Sequence, residues 1–290
     1  MHHLSIAGVG FAISCDFPLP DCFQAFEAHG PAPDPVSIVV LSPPVIDPPG
    51  RRRSREKELT FWIKDGCESI ALEGEGGLIL GSLSCEANWK SAIIRIRPDG
   101  DQPAIFRILM EVFFRTALAR LGRGLVMHAS GVSVSGQGLA FVGPSGMGKS
   151  TQARLWEELR QGVVLNDDRP AVTMEGAGPV LHGTPWSGTS TKRAGRSAPL
   201  EALVILEQSH HNRARLLTVA ETLPRFLPRA FLPYWSEMGT AGGLVAADRL
   251  LRKVQVVLLQ CRPEAGAVEC LEKALERKPQ PVSSRLQGFS

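Results

Sequence analysis

Gly143-Pro-Ser-Gly-Met-Gly-Lys-Ser150 is the stretch on which the reading of this chain turns. It satisfies G-x-x-x-x-G-K-[ST] in full, the apolar run Leu139–Val142 leads straight into it, and the helix-forming segment Gln152–Leu159 leaves it. Strand, glycine-rich loop and helix in that order predict an α/β fold. The residue types answer a physical need. A polyphosphate has to be wrapped by consecutive backbone N–H groups, which side chains would obstruct. Glycine at Gly143, Gly146 and Gly148 removes the Cβ and permits positive φ. The loop hands the anion to a helix N-terminus, where unpaired N–H groups and the helix dipole favour negative charge. Lys149 can reach the outer phosphates, Ser150 can offer a hydroxyl to Mg²⁺, and Thr151 can add a second, while Pro144, Ser145 and Met147 complete the candidate loop. The expected ligand is a nucleotide, ATP foremost, with Mg²⁺.

Downstream stands Leu165-Asn-Asp-Asp-Arg169, at the end of the β-prone run Val163–Leu165. The carboxylates are therefore expected at a strand's carboxyl end, beside the phosphate loop of an open α/β sheet. Two adjacent carboxylates are costly to desolvate unless a cation offsets them, which a magnesium–nucleotide complex does. One can hold the metal; the other can take a proton from an attacking hydroxyl. His128, in Val126-Met-His-Ala-Ser130, stands where a strand leads to the same sheet, and the sequence leaves open whether it touches phosphate, metal or acceptor or is a hydrogen-bonded core histidine. His182-Gly-Thr-Pro-Trp186, followed by Ser187–Arg193, reads either as a flexible lid or acceptor-binding element, with Lys192 or Arg193 steadying charge on a phosphoryl group in transfer, or as an ordinary exposed loop.

The rest of the chain bounds the answer. At 290 residues there is material for one large domain or two modest ones. Hydrophobic content of 43% and charged content of 21% exclude wholesale disorder. The net charge of +3 is too small to imply a nucleic-acid partner. No apolar run is long enough to span a bilayer, and the start lacks a signal-peptide pattern, so a soluble cytoplasmic protein is expected. The six cysteines form no C-x-x-C pair and read as reduced thiols. Residues 1–100 predict a small, mostly antiparallel β-rich domain, in which the run Asp47–Arg55 reads as a mobile basic loop. Apolar spacing from Pro103 predicts a bridging helix over 101–122, followed by a catalytic domain over 123–277 and a frayed tail over 278–290.

Met-His-Ala-Ser-Gly-Val132, Gly143–Thr151, Asn-Asp-Asp-Arg169 and His-Gly-Thr-Pro-Trp186 together resemble the carboxy-terminal domain of HPr kinase/phosphorylase, and above all the HPr-kinase-like proteins found beside peptide-modification genes, lasso-peptide clusters included. The resemblance covers roughly 120–275, specific at the phosphate loop and Asp-Asp-Arg and loose elsewhere; the amino-terminal part matches no motif. It implies an α/β fold with a mixed sheet, a P-loop kinase domain of the HPr kinase and phosphoenolpyruvate carboxykinase type, preceded here by the small β-rich domain. It also implies ATP as donor, Asp167 as base towards a serine hydroxyl, and Asp168 with Ser150 as metal partners, the two aspartate roles being exchangeable. Lys149, His128 and Arg193 complete the candidate catalytic set. The glycine-rich signature that bifunctional members carry after the aspartates is absent, and His182–Trp186 occupies that stretch.

The function expected is an ATP-dependent kinase acting on a serine of a peptide or small protein, with no nucleic-acid or membrane partner and with room for a homo-oligomer. A non-catalytic nucleotide-binding module and a carboxykinase-like metabolic enzyme are the alternatives.

Overall fold

The computed structural model describes residues 1–276 except Val45, Pro48, Pro49, Ala177 and Thr189, so the tail read over 278–290 lies outside the described residues. The front of the chain contributes β1 (His2–Ile6), β2 (Val9–Ser14), β3 (Val36–Leu41), β4 (Arg51–Glu56), β5 (Leu59–Lys64), β6 (Cys67–Glu73), β7 (Ile79–Cys85) and β8 (Ser91–Ile96). They form one sheet in the order β1-β2-β3-β8-β7-β6-β5-β4, antiparallel except where β3 runs parallel to β2 and β8. Alternation sets its buried face: in β3, Val36, Ile38 and Val40 point inward while Ser37, Val39 and Leu41 are exposed. The basic run is no loop over 51–56. It is the edge strand β4, exposed along its whole length, with Arg52 and Arg55 3.7 and 3.3 Å from Glu73 and Arg53 2.8 Å from Glu237. An edge strand packed on neither face needs no apolar alternation, and charge on it discourages pairing with other chains. That is why composition alone suggested a loop.

Helix α1 (Gln102–Arg120) lies across this sheet. Asp101 caps it, its carboxylate accepting from the Ala104 amide at 3.1 Å, and Pro103 sits in the first turn, where no N–H is needed. Ile105, Phe106, Leu109, Met110, Val112 and Phe113 are buried, and Phe11 of β2 meets Phe113 and Phe114 edge-to-face at 6.4 and 6.3 Å.

The second half carries β9 (Gly124–Val126), β10 (Ala129–Val134), β11 (Gln137–Val142), α2 (Lys149–Arg160), β12 (Val163–Asn166), β13 (Ala171–Glu175), β14 (Gly178–His182), β15 (Ser197–Gln208), β16 (Arg213–Leu216), α3 (Val219–Phe226), α4 (Glu237–Lys253), β17 (Gln255–Cys261) and α5 (Ala265–Leu275). The architecture is mixed α/β with mixed sheets. Strand β15 is the hub: Ser197–Pro199 pair with β14, while the rest runs parallel to β11 on one side and β17 on the other. Its neighbours are buried on both faces, which explains their unbroken apolar runs. In β11, Ala140 and Val142 face a core shared with α4, and Leu139 and Phe141 face a core shared with α2 and α5.

One topological fact positions the site. Strand β10 is antiparallel to both β11 and β12, so the two outer strands run the same way and their carboxyl ends share one rim.

Trp186 ties that rim to the front half. It is 1% exposed, stacks on Phe114 at 5.3 Å, meets Phe23 edge-on at 5.8 Å and donates its indole N–H to the Arg107 carbonyl at 2.9 Å. Trp186→Ala is expected to cost about 3–5 kcal/mol of stability in urea denaturation. A loss below about 1 kcal/mol would show that this junction collapses around the cavity without penalty.

Candidate functional site

The glycine loop follows β11 and closes on the first turn of α2, whose N-cap is Gly148 with no side-chain cap. Gly146 and Gly148 take φ of 78° and 98°, the left-handed region that a Cβ disfavours. Gly143 does not need that freedom. Pro144, Ser145, Gly146 and Ser150 are exposed, while Lys149 is buried. Its ammonium donates to the Gly143 and Pro144 carbonyls at 3.1 and 3.0 Å and lies 3.0 Å from His128 Nε2. Burial lowers the Lys149 pKa from the usual lysine range, Asp168 pulls it back up, and Arg229 lowers it further. An anion bound at the loop would offset both the burial of the ammonium and its repulsion by Arg229.

Asp167 and Asp168 follow β12 on the same rim, and Asn166 shapes their turn. Fully buried, it accepts from the Asp168 and Arg169 amides at 2.9 and 2.6 Å and donates to the Thr184 and Trp186 carbonyls at 3.0 and 2.9 Å. The two aspartates then diverge. Asp168 Oδ1 lies 2.9 Å from His128 Nδ1, and its Oδ2 accepts from Arg169 Nε at 3.1 Å. Arg169 continues to Glu111 of α1. Asp167 is 5% exposed and, among the described residues, accepts from two neutral donors: the Gly188 amide at 2.9 Å on Oδ1 and the Ser190 hydroxyl on Oδ2.

His128 therefore stands between the lysine and an aspartate. An ammonium can only donate, so Nε2 accepts and Nδ1 carries the proton given to Asp168; this tautomer is assigned from the network. Ser150, Thr151, Asp167, Ser190 and Lys192 line one cavity of about 200 Å³ between α2 and the loop after β14. Arg193 does not line it. Its backbone bridges Asn166, and its guanidinium turns to the Ser187 hydroxyl at 3.0 Å and the Thr191 carbonyl at 3.2 Å. Neighbouring residues in an extended segment point to opposite sides, so Lys192, which pairs with Glu157 of α2, takes the cavity side. Nor is His182–Trp186 a flexible loop. His182 ends β14 and contacts Thr173 Oγ1 at 2.7 Å, and Thr184 and Trp186 are buried. Gly183 fits because a Cβ there would sit 1.9 Å from the Ala194 carbonyl oxygen.

Sequence reasoning missed Glu111, Arg229, Ser190 and the stapling role of Asn166. Arg169 and Asn166 were visible beside the aspartates, and Ser190 lay within a polar run already noted; Glu111 and Arg229 carried no local signal.

The Ser150 hydroxyl and a carboxylate of the aspartate turn line one cavity, an oxygen set that suits a magnesium ion held jointly with a nucleotide. Among the described residues no group of three or more His, Cys, Asp or Glu side chains could cage a metal. Magnesium on a polyphosphate typically needs only one or two protein oxygens, such as a hydroxyl and a carboxylate, beside phosphate oxygens and water. Among the described residues no helix is long and apolar enough to cross a membrane.

No family model and no curated protein matches the chain. Among solved structures it is similar to the HPr(Ser) kinase/phosphatase from Coxiella burnetii, at 11% identity and a TM-score of 0.30, over 52% of this chain and 88% of that one. A likeness this slight assigns no activity.

The His128 contact, with help from Arg169 and against the effect of burial, holds the Asp168 carboxyl below its ordinary range. A folded-state pKa below the unfolded value of about 3.9 means that the stabilisation is full above that pH and is lost as pH falls through the folded value. Asp168→Asn should therefore flatten the loss of stability on acidification below about pH 4, measured by urea titrations on both sides of that pH. Parallel pH profiles for the variant and the parent protein would refute the pairing.

Proposed function

We propose that this chain is an ATP-dependent kinase that transfers a phosphoryl group to a hydroxyl, with a serine of a peptide or small protein as acceptor. The observation that carries the reading is the common cavity: Ser150 and Thr151 of the phosphate loop and the buried carboxylate of Asp167 line one wall-to-wall space at the shared rim of β11 and β12. The resemblance of the motifs to HPr-kinase-like proteins supports the choice of a serine acceptor.

The chemistry divides between the aspartates. Asp168 is fixed between His128 and Arg169, beside Lys149, and its lowered pKa makes it a poor proton acceptor and a stable negative charge on the phosphate side. Asp167 accepts from the Gly188 amide and the Ser190 hydroxyl and opens on the cavity, where an acceptor hydroxyl can reach it, so it takes the role of base. On this reading Lys149 exchanges its bonds to the Gly143 and Pro144 carbonyls for phosphate oxygens, with His128 keeping the ammonium aligned. Magnesium held by Ser150, Asp168 and the phosphates would neutralise charge developing on the transferred group. Lys192, rather than Arg193, is the cation that this segment brings to the cavity wall, across from Arg154 of α2. Rate enhancement comes mainly from positioning and electrostatics.

The front half supports a recruiting role. A cleft of about 550 Å³ is lined by Leu59, Leu72 and Glu73 of the front sheet, by Glu111 and Arg115 of α1, and by Arg169. Arg169 links that cleft directly to Asp168.

Asp167→Asn should retain magnesium–ATP binding in calorimetry while lowering phosphoryl transfer to serine peptides by about 10²- to 10⁴-fold. Lys149→Met should lose the binding itself. Binding with no transfer to any hydroxyl would favour a nucleotide-sensing module, and absence of heat with magnesium and ATP or GTP would end both readings.

A further inference from the structure

We propose that Ser190 is an acceptor for the chain's own site, so that the protein phosphorylates itself there. This inference rests on the kinase reading and names a substrate for it. If Asp167 is the base, the acceptor hydroxyl must lie against one of its oxygens, and the Ser190 hydroxyl already donates to Asp167 Oδ2. It does so within the cavity that also holds Ser150 and Thr151 of the phosphate loop. Asp167 is buried while Ser190 is exposed, so the serine covers the base on its open side, where any other hydroxyl would have to enter.

The covalent chain sets this position. On one side Trp186 is locked in the core. On the other, the Ala194 amide donates to the Leu165 carbonyl at 2.9 Å, and Arg193 bridges Asn166. Between these anchors the Thr191 amide closes a turn onto the Gly188 carbonyl at 3.2 Å, and the Gly188 amide holds the other oxygen of Asp167. A tethered acceptor needs no encounter step and gains the effective concentration of an intramolecular reaction.

In the step, Ser190 Oγ bonds to the γ-phosphorus of ATP and the bond from that phosphorus to the β,γ-bridging oxygen breaks. ADP leaves with the bridging electron pair, and the serine proton passes to Asp167 Oδ2. The product is a phosphoserine dianion against an aspartate, next to the phosphate loop. Like-charge repulsion turns the phosphoserine away from the Asp167 carboxylate, towards Lys192 and Arg154, the cations that line the same cavity. The modification therefore opens the base to external hydroxyls and places negative charge where the next nucleotide must bind.

The full chain, dephosphorylated and incubated with magnesium and ATP, is followed by intact-mass and peptide-mapping mass spectrometry, with calorimetry of nucleotide binding in parallel. One phosphoryl group on Ser190 is expected, lost in Asp167→Asn and in Ser190→Ala, with a rate per chain independent of protein concentration. Ser190→Glu, as a stand-in for the product, should bind magnesium–ATP roughly tenfold more weakly. Phosphorylation of peptides or ATP hydrolysis with Ser190 unmodified would overturn self-phosphorylation and leave the kinase reading intact. So would a phosphate that persists in Ser190→Ala or a rate that rises with protein concentration, while unchanged affinity in Ser190→Glu would overturn the effect of the product on nucleotide binding. No heat with magnesium and ATP would overturn both.

Discussion

Strand direction is the constraint from which the site follows. With β10 antiparallel between them, β11 and β12 must run the same way, and the glycine loop and the aspartate pair emerge at one rim. The ladders that impose this are main-chain hydrogen bonds, so side-chain substitution on β10 leaves the arrangement in place as long as the strand pairs. His128 enters from the connection between β9 and β10, which is why it can reach Lys149 with one ring nitrogen and Asp168 with the other. Three segments distant in sequence meet because one strand lies between two others.

What keeps the rim in register is a polar anchor beside an apolar one. Asn166 makes five hydrogen bonds without any solvent exposure, joining the aspartate turn to the segment Thr184–Trp186. A buried amide left unpaired would cost several times what a satisfied one contributes, so the network is specific as well as stabilising. Trp186 carries the same segment into the aromatic core formed by α1 and the front strands. The β-rich half is consequently part of the site's support, and Glu111 of α1 extends the link through Arg169 to Asp168.

Two neighbouring carboxylates with the same chemistry stand in different surroundings. Asp168 is surrounded by positive or proton-donating nitrogen groups that keep it ionised; Asp167 is buried among an amide and a hydroxyl. Environment, more than residue type, sets what a carboxylate can do, and the proposed division of roles rests on that difference.

The glycine loop, the aspartate pair and the helix after the loop were legible in the chain alone, and α2, Lys149–Arg160, contains the helix-forming segment Gln152–Leu159. Local signals sufficed there: glycines where positive φ is needed, an apolar strand before them and helix formers after. Elements lacking such signals stayed hidden. Strand β4 has no apolar alternation, α3 contains Pro224, and only the central part of the twelve-residue β15 reads as apolar. The division at the site has the same origin. Sequence by itself determined which chemical groups are present, because a glycine loop and a carboxylate pair are defined by neighbours along the chain. Tertiary structure alone decided that His128 bridges Lys149 to Asp168, that Lys192 faces the cavity and Arg193 turns away, and that Ser190 covers Asp167, because these contacts join residues separated by whole elements and depend on strand direction and side-chain facing.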